Sequence, residues 1–254
     1  MSRVEYLDTV EAYDKWAKVY DSDGNFLQKL DDREMEVVLP EFLNKVRGGG
    51  SGLIKLIDLG CGTGRNTLKM IEHCNTKGQG EYEIVGLDPS GKMLDLAKER
   101  CRGHADQNKG TVVRRRFELY DILQENDDVC KNGEADGLIS TLVLEHVPAD
   151  SFFECVRHLC RVGGQVLITN MHSEMGQISQ AGFNCPDTGV KYRPKSYPHT
   201  LADTLAAASS HGFELVQPPV ERKISSSDIP HLGPRSEKWI GVTVWFCVLL
   251  QRVN

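Results

Sequence analysis

Leu53 to Leu59 is a predominantly apolar run with Lys55 inside it, and it leads straight into Gly60-Cys61-Gly62-Thr63-Gly64. A strand buried on both faces of a parallel sheet reads as such a run. A strand that ends in closely spaced glycines and opens a helix constrains the rest of the chain, which must supply a sheet for it to join. The sequence does so by alternation. After the glycines, a helix is expected from about Asn66 to His73, then a strand over Glu83–Leu87 and a helix over Gly91–Arg102. Strands follow over Val112–Leu119 and Asp136–Leu142, a helix over Ser151–Cys160 and a strand over Gly164–Met171. A helix from about Leu201 to His211 and strands over Phe213–Val216 and Gly241–Leu250 close the chain. Such alternation predicts an α/β chain with a parallel sheet and helices on both faces.

Ahead of this unit, Tyr13, Trp16, Ala17 and Tyr20 recur at the spacing of one helix face. Asp21-Ser22-Asp23-Gly24-Asn25 breaks that helix, and a second is expected from about Asp31 to Arg47. Gly48 to Gly52 reads as a flexible joint, which separates residues 1–50 from residues 51–254. Ser173 to His199 has no clear period. Long loops in compact domains are often functional, so it reads as a cover over a pocket.

Composition narrows the function. With 254 residues and 40% hydrophobic content, the chain suits a large globular domain and excludes a disordered or collagen-like class. Asp and Glu number 36 against 30 Lys and Arg, and the net charge of −6 argues against a nucleic-acid partner. The longest apolar run, Val242 to Leu250, is too short to span a bilayer. Met1 to Val10 holds Glu5 and Asp8 and resembles no secretory or transit segment, so a cytoplasmic location is expected. The eight cysteines form no Cys-x-x-Cys pair. Cys155, His158 and Cys160 cannot share one helix face, so they read as reduced thiols rather than metal ligands. Arg114-Arg115-Arg116 points its side chains in alternating directions along a strand and reads as a solvated edge.

The glycine loop carries the chemistry. Ligands bind an open α/β sheet at the carboxyl ends of its strands. Glycines allow close backbone approach, and the following helix offers free N–H groups. Arg65 stands where a dinucleotide loop requires glycine or alanine, and Arg65-Asn66 replaces the Lys-Ser/Thr of a triphosphate loop. Asp88 ends the next strand, where a carboxylate can accept from both ribose hydroxyls. Asp121 follows the third strand, placed to accept from an adenine amino group with Ile122 beside the ring. Asp58 precedes the glycines and is placed to meet an ammonium group directly or through water. These residues suit a nucleoside that carries a positive charge rather than a pyrophosphate.

Together, Asp58-Leu-Gly-Cys-Gly-Thr-Gly64, Gly86-Leu-Asp-Pro-Ser90 with Met93 and Leu94, Asp121-Ile122 and Leu142-Val-Leu-Glu-His-Val147 resemble the class I S-adenosylmethionine-dependent methyltransferases. Tyr13-Asp-Lys-Trp-Ala-Lys-Val-Tyr-Asp21 resembles the N-terminal lid of their small-molecule branch, which includes ubiquinone/menaquinone-type and Williams-Beuren-region methyltransferase-like proteins. The resemblance implies a Rossmann-like, doubly wound, seven-stranded sheet, mostly parallel with an antiparallel last strand. It implies a helical lid over residues 1–50 and a methyltransferase domain over 51–254, with an acceptor cover inserted at about 173–199. The implied cofactor is S-adenosyl-L-methionine. Gly60, Cys61, Gly62, Thr63, Gly64 and Asn66 would surround its methionine end. Asp88, with Pro89, Ser90 and Met93, would hold the ribose. Asp121 and Ile122 would meet the adenine, and Leu142 and Val143 are further candidate cofactor contacts. From the lid, Tyr13, Trp16 and Tyr20 would face the sulfonium by cation–π contact, with Tyr20 the preferred neighbour.

His146 follows the fourth strand and is the candidate general base, because histidine titrates near neutral pH. Glu145 reads as a local hydrogen-bonding residue. Met171, His172, Tyr192 and Tyr197 are candidate acceptor contacts. Ser140-Thr141-Leu142-Val143 lacks the Asn/Asp-Pro-Pro-Tyr pattern of amino-methylating enzymes, and Ser140 with Thr169-Asn170 lacks the acids of a magnesium-dependent catechol site, so no metal is expected. The expected activity is methyl transfer to a small-molecule acceptor by in-line displacement. A cofactor-binding regulatory module and an RNA or protein methyltransferase are the alternatives.

Overall fold

The computed structural model describes residues 3–48, 52–77, 80–103, 110–124 and 134–254. The glycine-rich joint at 49–51 and Cys130 lie outside the described residues. In chain order the elements are β1 (Val4–Tyr6), α1 (Thr9–Trp16), α2 (Phe26–Arg47), β2 (Leu53–Leu59), α3 (Arg65–Lys77), β3 (Gly80–Asp88), α4 (Gly91–Arg100) and β4 (Thr111–Leu119). They continue with β5 (Ala135–Thr141), α5 (Ala149–Leu159), β6 (Cys160–Met171), α6 (Ser173–Ile178), β7 (Phe183–Asn184) and β8 (Lys191–Arg193). The last are α7 (Leu201–Ser210), β9 (Phe213–Leu215), β10 (Val220–Lys223), α8 (Ile229–Leu232) and β11 (Thr243–Arg252). Among the described residues, no helix is long and apolar enough to cross a membrane.

The main sheet runs β10-β11-β6-β5-β2-β3-β4, with β9 also on β11. β2, β3, β4, β5 and β6 are mutually parallel, and β11 is antiparallel to its neighbours. Alternate residues of each strand feed two cores. From β11, Trp245, Cys247 and Leu249 join Phe42 of α2 and Met70 of α3 on one face. Phe246, Val248 and Leu250 join Phe152 and Phe153 of α5 and Ala208 of α7 on the other. Burying an aromatic such as Phe42 contributes roughly 1.5–3 kcal/mol, which is why the strands read as unbroken apolar runs.

Four expectations need correction. The sheet has eight strands, not seven. β9 and β10 lie end to end along one edge of β11, opposite Leu250–Arg252 and Thr243–Cys247. Pro218-Pro219 falls between them, and a residue without N–H cannot continue the ladder. α2 starts at Phe26 rather than about Asp31, because the Asn25 side chain accepts from Leu27 N at 3.1 Å and caps it. α1 starts at Thr9, capped by Asp8, and ends at Trp16, so Tyr20 sits on the turns beyond it. Residues 173–199 are not irregular throughout. β8 pairs in parallel with β1 and antiparallel with β7, forming a three-stranded sheet that joins the N-terminal segment to the expected cover. The Trp16 ring stacks on Phe183 across this junction, with centroids 5.1 Å apart.

Candidate active site

A cavity of about 250 Å³ opens at the carboxyl ends of β2, β3, β4 and β5. Gly60 and Gly62 form one wall, Asp88 and Pro89 the next, then Asp121 with Ile122, and Leu142, Val143 and His146. Tyr13 and Tyr20 close it from the N-terminal segment. The loop geometry explains its glycines. Gly60 has φ +73°, and a Cβ on it would lie 2.2 Å from Val143 Cγ2. Gly64 has φ +78°, and its Cβ would meet the Ala97 backbone of α4 at 2.9 Å. Leu142 holds φ +58°, the one non-glycine residue with positive φ among the described residues, and it stands at the cavity wall. Strain of this kind concentrates at ligand sites.

Asp88 anchors the loop. Its Oδ2 accepts from Gly62 N at 2.8 Å and its Oδ1 from Ser90 N at 2.8 Å. Each oxygen keeps a lone pair for a ligand hydroxyl. Burial pushes its pKa up to about 6, against the pull of those two backbone bonds, and the charge of Asp14 adds to the rise. Asp121 Oδ1 accepts from Leu123 N at 2.9 Å, which turns the chain so that Ile122 also faces the cavity.

Asp58 lies beneath the loop and does not line the cavity. Its Oδ2 accepts from the Thr67 hydroxyl at 2.5 Å, and its Oδ1 has no protein partner. Burial pushes its pKa up to about 7, assisted by the charge of Asp88 and opposed by the Thr67 bond. A carboxyl whose folded pKa is raised stabilises the fold below its unfolded value of about 4, and that stability is lost as pH climbs through 7. Asp58→Asn is therefore expected to raise stability over wild type more at pH 8 than at pH 5, read by chemical denaturation. An equal change at both pH values would show that Asp58 ionises normally.

The remaining expected cofactor contacts lie outside the cavity, and each has another partner. Thr63 donates to Asp21 Oδ1 at 3.0 Å and accepts from Arg100 at 3.1 Å. Ser90 caps α4 and donates to Asp14 Oδ1 at 2.5 Å. Asn66 donates to Thr141 Oγ1 at 3.0 Å. Met93 is core, Cys61 packs with Leu94 and Ala97, and Gly64 N donates to the Cys61 carbonyl. Trp16 turns away, its indole N–H on Asp23 Oδ2 at 2.9 Å. Asp14 and Asp21 thus fasten the N-terminal segment to α3 and α4, with Arg100 on Asp21 at 2.6 Å and Arg65 on Asp32 at 2.5 Å.

His146 is held on both sides. Its Nδ1 lies 2.9 Å from the Lys195 carbonyl, which can only accept, so Nδ1 carries the proton. Its Nε2 accepts from the Tyr13 hydroxyl at 2.7 Å. Burial raises the Tyr13 hydroxyl pKa well above the usual phenol range, followed by the charges of Tyr20, Glu145 and Asp88.

A second cavity, of about 100 Å³, shares Tyr13, Tyr20 and Leu142 with the first. Trp16 and Met171 line it. Glu145 does too, 3% exposed, with Oε2 unpartnered and Oε1 at 3.4 Å from His146 Nε2. Sequence reasoning read Glu145 as local, and only its position beside His146 hinted otherwise. His172, Tyr192 and Tyr197 line neither cavity. His172 caps α6 and lies 2.9 Å from Glu221, Tyr192 packs on Phe183, and Tyr197 stacks on His199. No group of three His, Cys, Asp or Glu suited to a metal occurs among the described residues.

The comparisons with known proteins agree with this geometry. The family model of the methyltransferase domain matches residues 51–204. An uncharacterized methyltransferase of Emericella nidulans is 46% identical over 265 residues, covering 96% of this chain and 91% of that protein. The magnesium protoporphyrin IX methyltransferase of Synechocystis PCC 6803, solved with bound SAH, superposes with a TM-score of 0.58 at 17% identity, covering 95% of this chain and 94% of the other. The cyclase SpnF superposes with a TM-score of 0.62 at 15% identity, covering 100% and 99%. At such identities the two structures speak for the fold alone. The family match, the fungal relative and the strand-end acids agree, and the chain belongs to the methyltransferase domain family, of the S-adenosyl-L-methionine-dependent class I type.

Proposed function

We propose that the protein transfers a methyl group from S-adenosyl-L-methionine to a small-molecule acceptor. The observation that carries the reading is the pair of adjoining cavities, one bounded by Asp88, Asp121 and the glycine loop, the other meeting it at Tyr13, Tyr20 and Leu142. In the first, Asp88 would hold the ribose, Asp121 and Ile122 the adenine, and Gly60 and Gly62 the methionine end. The buried, unpartnered Oδ1 of Asp58 suits a water-bridged ammonium group. The cofactor supplies an electrophilic methyl group on a cationic sulfur. Residues 1–50 act as a lid and 173–199 as a cover, and together they exclude water. Alignment in a dry site contributes up to roughly 7–11 kcal/mol in well-oriented reactions. A small cavity lined from both the lid and the cover favours a small molecule over RNA or protein. The magnesium protoporphyrin IX methyltransferase of the same fold supports that class.

Where the acceptor arrives protonated, His146 takes its proton at Nε2 once Tyr13 releases that atom. His146→Ala is expected to lower kcat by roughly 10²–10⁴-fold while cofactor affinity changes little. Steady-state kinetics and calorimetry on one preparation test this. A kcat within about twofold of wild type would remove His146 from proton transfer.

A further inference from the structure

We infer that the methyl acceptor carries an anionic group, a carboxylate or a phosphoryl, which Lys191, Arg235 and Lys238 bind at the outer end of the second cavity. The inference rests on the methyltransferase reading and specifies its acceptor. The second cavity has two chemically different ends. One end shares Tyr13, Tyr20 and Leu142 with the cofactor cavity. At the other, Lys191 and Arg235 also line a third cavity of about 270 Å³, together with Ser22, Asp23 and Asn184. Phe26, Met171, Met175 and Trp239 add apolar lining. The cavity thus joins the donor site, through Tyr13, Tyr20 and Leu142, to the cations.

The cations are gathered without an ion pair among the described residues, although Asp23, whose carboxylate accepts from Trp16 and Asn25, lines the third cavity with two of them. Burial lowers the Lys191 pKa, followed by the charges of Arg193, Lys238 and Arg235. Arg235 donates to the Asp23 carbonyl at 2.6 Å, and Lys238 lies over the Trp239 ring at 5.1 Å. Among the described residues, none of Lys191, Arg235 and Lys238 has a carboxylate within ion-pair distance. Elsewhere Arg65, Arg100 and Arg222 each meet one. An acidic chain that leaves three cations together at a cavity mouth offers an anion charge-assisted hydrogen bonds from all of them.

Glu145 fixes the direction. It lines the same cavity, is buried, and has an unpartnered oxygen. It repels an anionic tail and accepts from an O–H or N–H at the reacting end. The acceptor therefore lies with its anion toward Lys191 and its nucleophile toward Leu142 and the donor methyl.

The test uses full-length protein saturated with S-adenosyl-L-homocysteine, titrated calorimetrically with benzoate, phenyl phosphate and benzamide. The expected result is that one of the two anions binds about tenfold or more tightly than the neutral amide. The double variant Lys191→Gln/Arg235→Gln abolishes that preference and leaves S-adenosyl-L-homocysteine affinity within about twofold of wild type. Tighter binding of benzoate identifies a carboxylate, and tighter binding of phenyl phosphate a phosphoryl group. Equal binding of all three probes, no binding of either anion, or a preference that survives the double variant overturns the inference. Failure of the cofactor reading appears separately, as absent S-adenosyl-L-homocysteine binding before any probe is added.

Discussion

Asp88→Ala is expected to weaken S-adenosyl-L-methionine binding by roughly 10²-fold or more, since each hydrogen bond to a charged group is worth about 1.5–3 kcal/mol and a ribose brings two hydroxyls. The substitution also leaves Gly62 N without the acceptor that holds the loop. Asp88→Asn separates these effects, because it keeps the volume and one acceptor oxygen but removes the charge. The raised pKa adds a pH dependence with a definite sign. A carboxyl that titrates at about 6 is mostly ionised at pH 7 and mostly protonated at pH 5. Protonation removes the charge that attracts a cationic ligand, so affinity falls by roughly tenfold over that range. Asp88→Asn abolishes this dependence. Calorimetry across pH 5–8 reads both effects. An Asp88→Ala affinity within about threefold of wild type would take Asp88 out of the ribose site.

Gly60→Ala has the second large effect, and it arises in two parts. Positive φ at a residue with a Cβ costs roughly 1–2 kcal/mol. The new methyl group also meets Val143 Cγ2 at 2.2 Å, a branched side chain with little room to yield, and such overpacking costs roughly 1–3 kcal/mol. For a chain of this size, Tm is expected to drop by roughly 5–15 °C, and cofactor binding falls with it because the loop must shift. Adding Val143→Ala recovers the overpacking part and not the φ part. Gly60→Ala/Val143→Ala should therefore melt between Gly60→Ala and wild type. A double variant no more stable than Gly60→Ala would show that Val143 is not what the methyl group strikes.

Much of the first cavity's lining was legible because the deciding signals are local. A glycine loop after an apolar strand, and an acid at the end of each following strand, place Gly60, Asp88 and Asp121 together once the sheet is parallel. The neighbours of those motifs were harder. Ser90 and Thr63 sit inside the right motifs, yet their hydroxyls serve Asp14 and Asp21, 76 and 42 residues away. No local pattern announces such pairs. The same holds for Val4–Tyr6 on Lys191–Arg193, a pairing that ties the N-terminal segment to the segment before α7. The lining of the second cavity was least legible. Met171 lines it, but Tyr192 and Tyr197 pack elsewhere, and Glu145 gains its place from a fold that buries it beside His146 with one oxygen unpartnered. The strand count fell one short beyond Pro218-Pro219: the strand before this break, Phe213–Leu215, was legible in the sequence, and the short, largely charged Val220–Lys223 after it was not.

The most direct test is a crystal structure of the protein with S-adenosyl-L-homocysteine. The predicted complex has both ribose hydroxyls on the Asp88 carboxylate, the adenine beside Asp121 and Ile122, and the sulfur facing Leu142 and Tyr13 at the junction of the two cavities. A ligand seated elsewhere, or one whose ribose turns away from Asp88 and whose sulfur faces away from that junction, would contradict it.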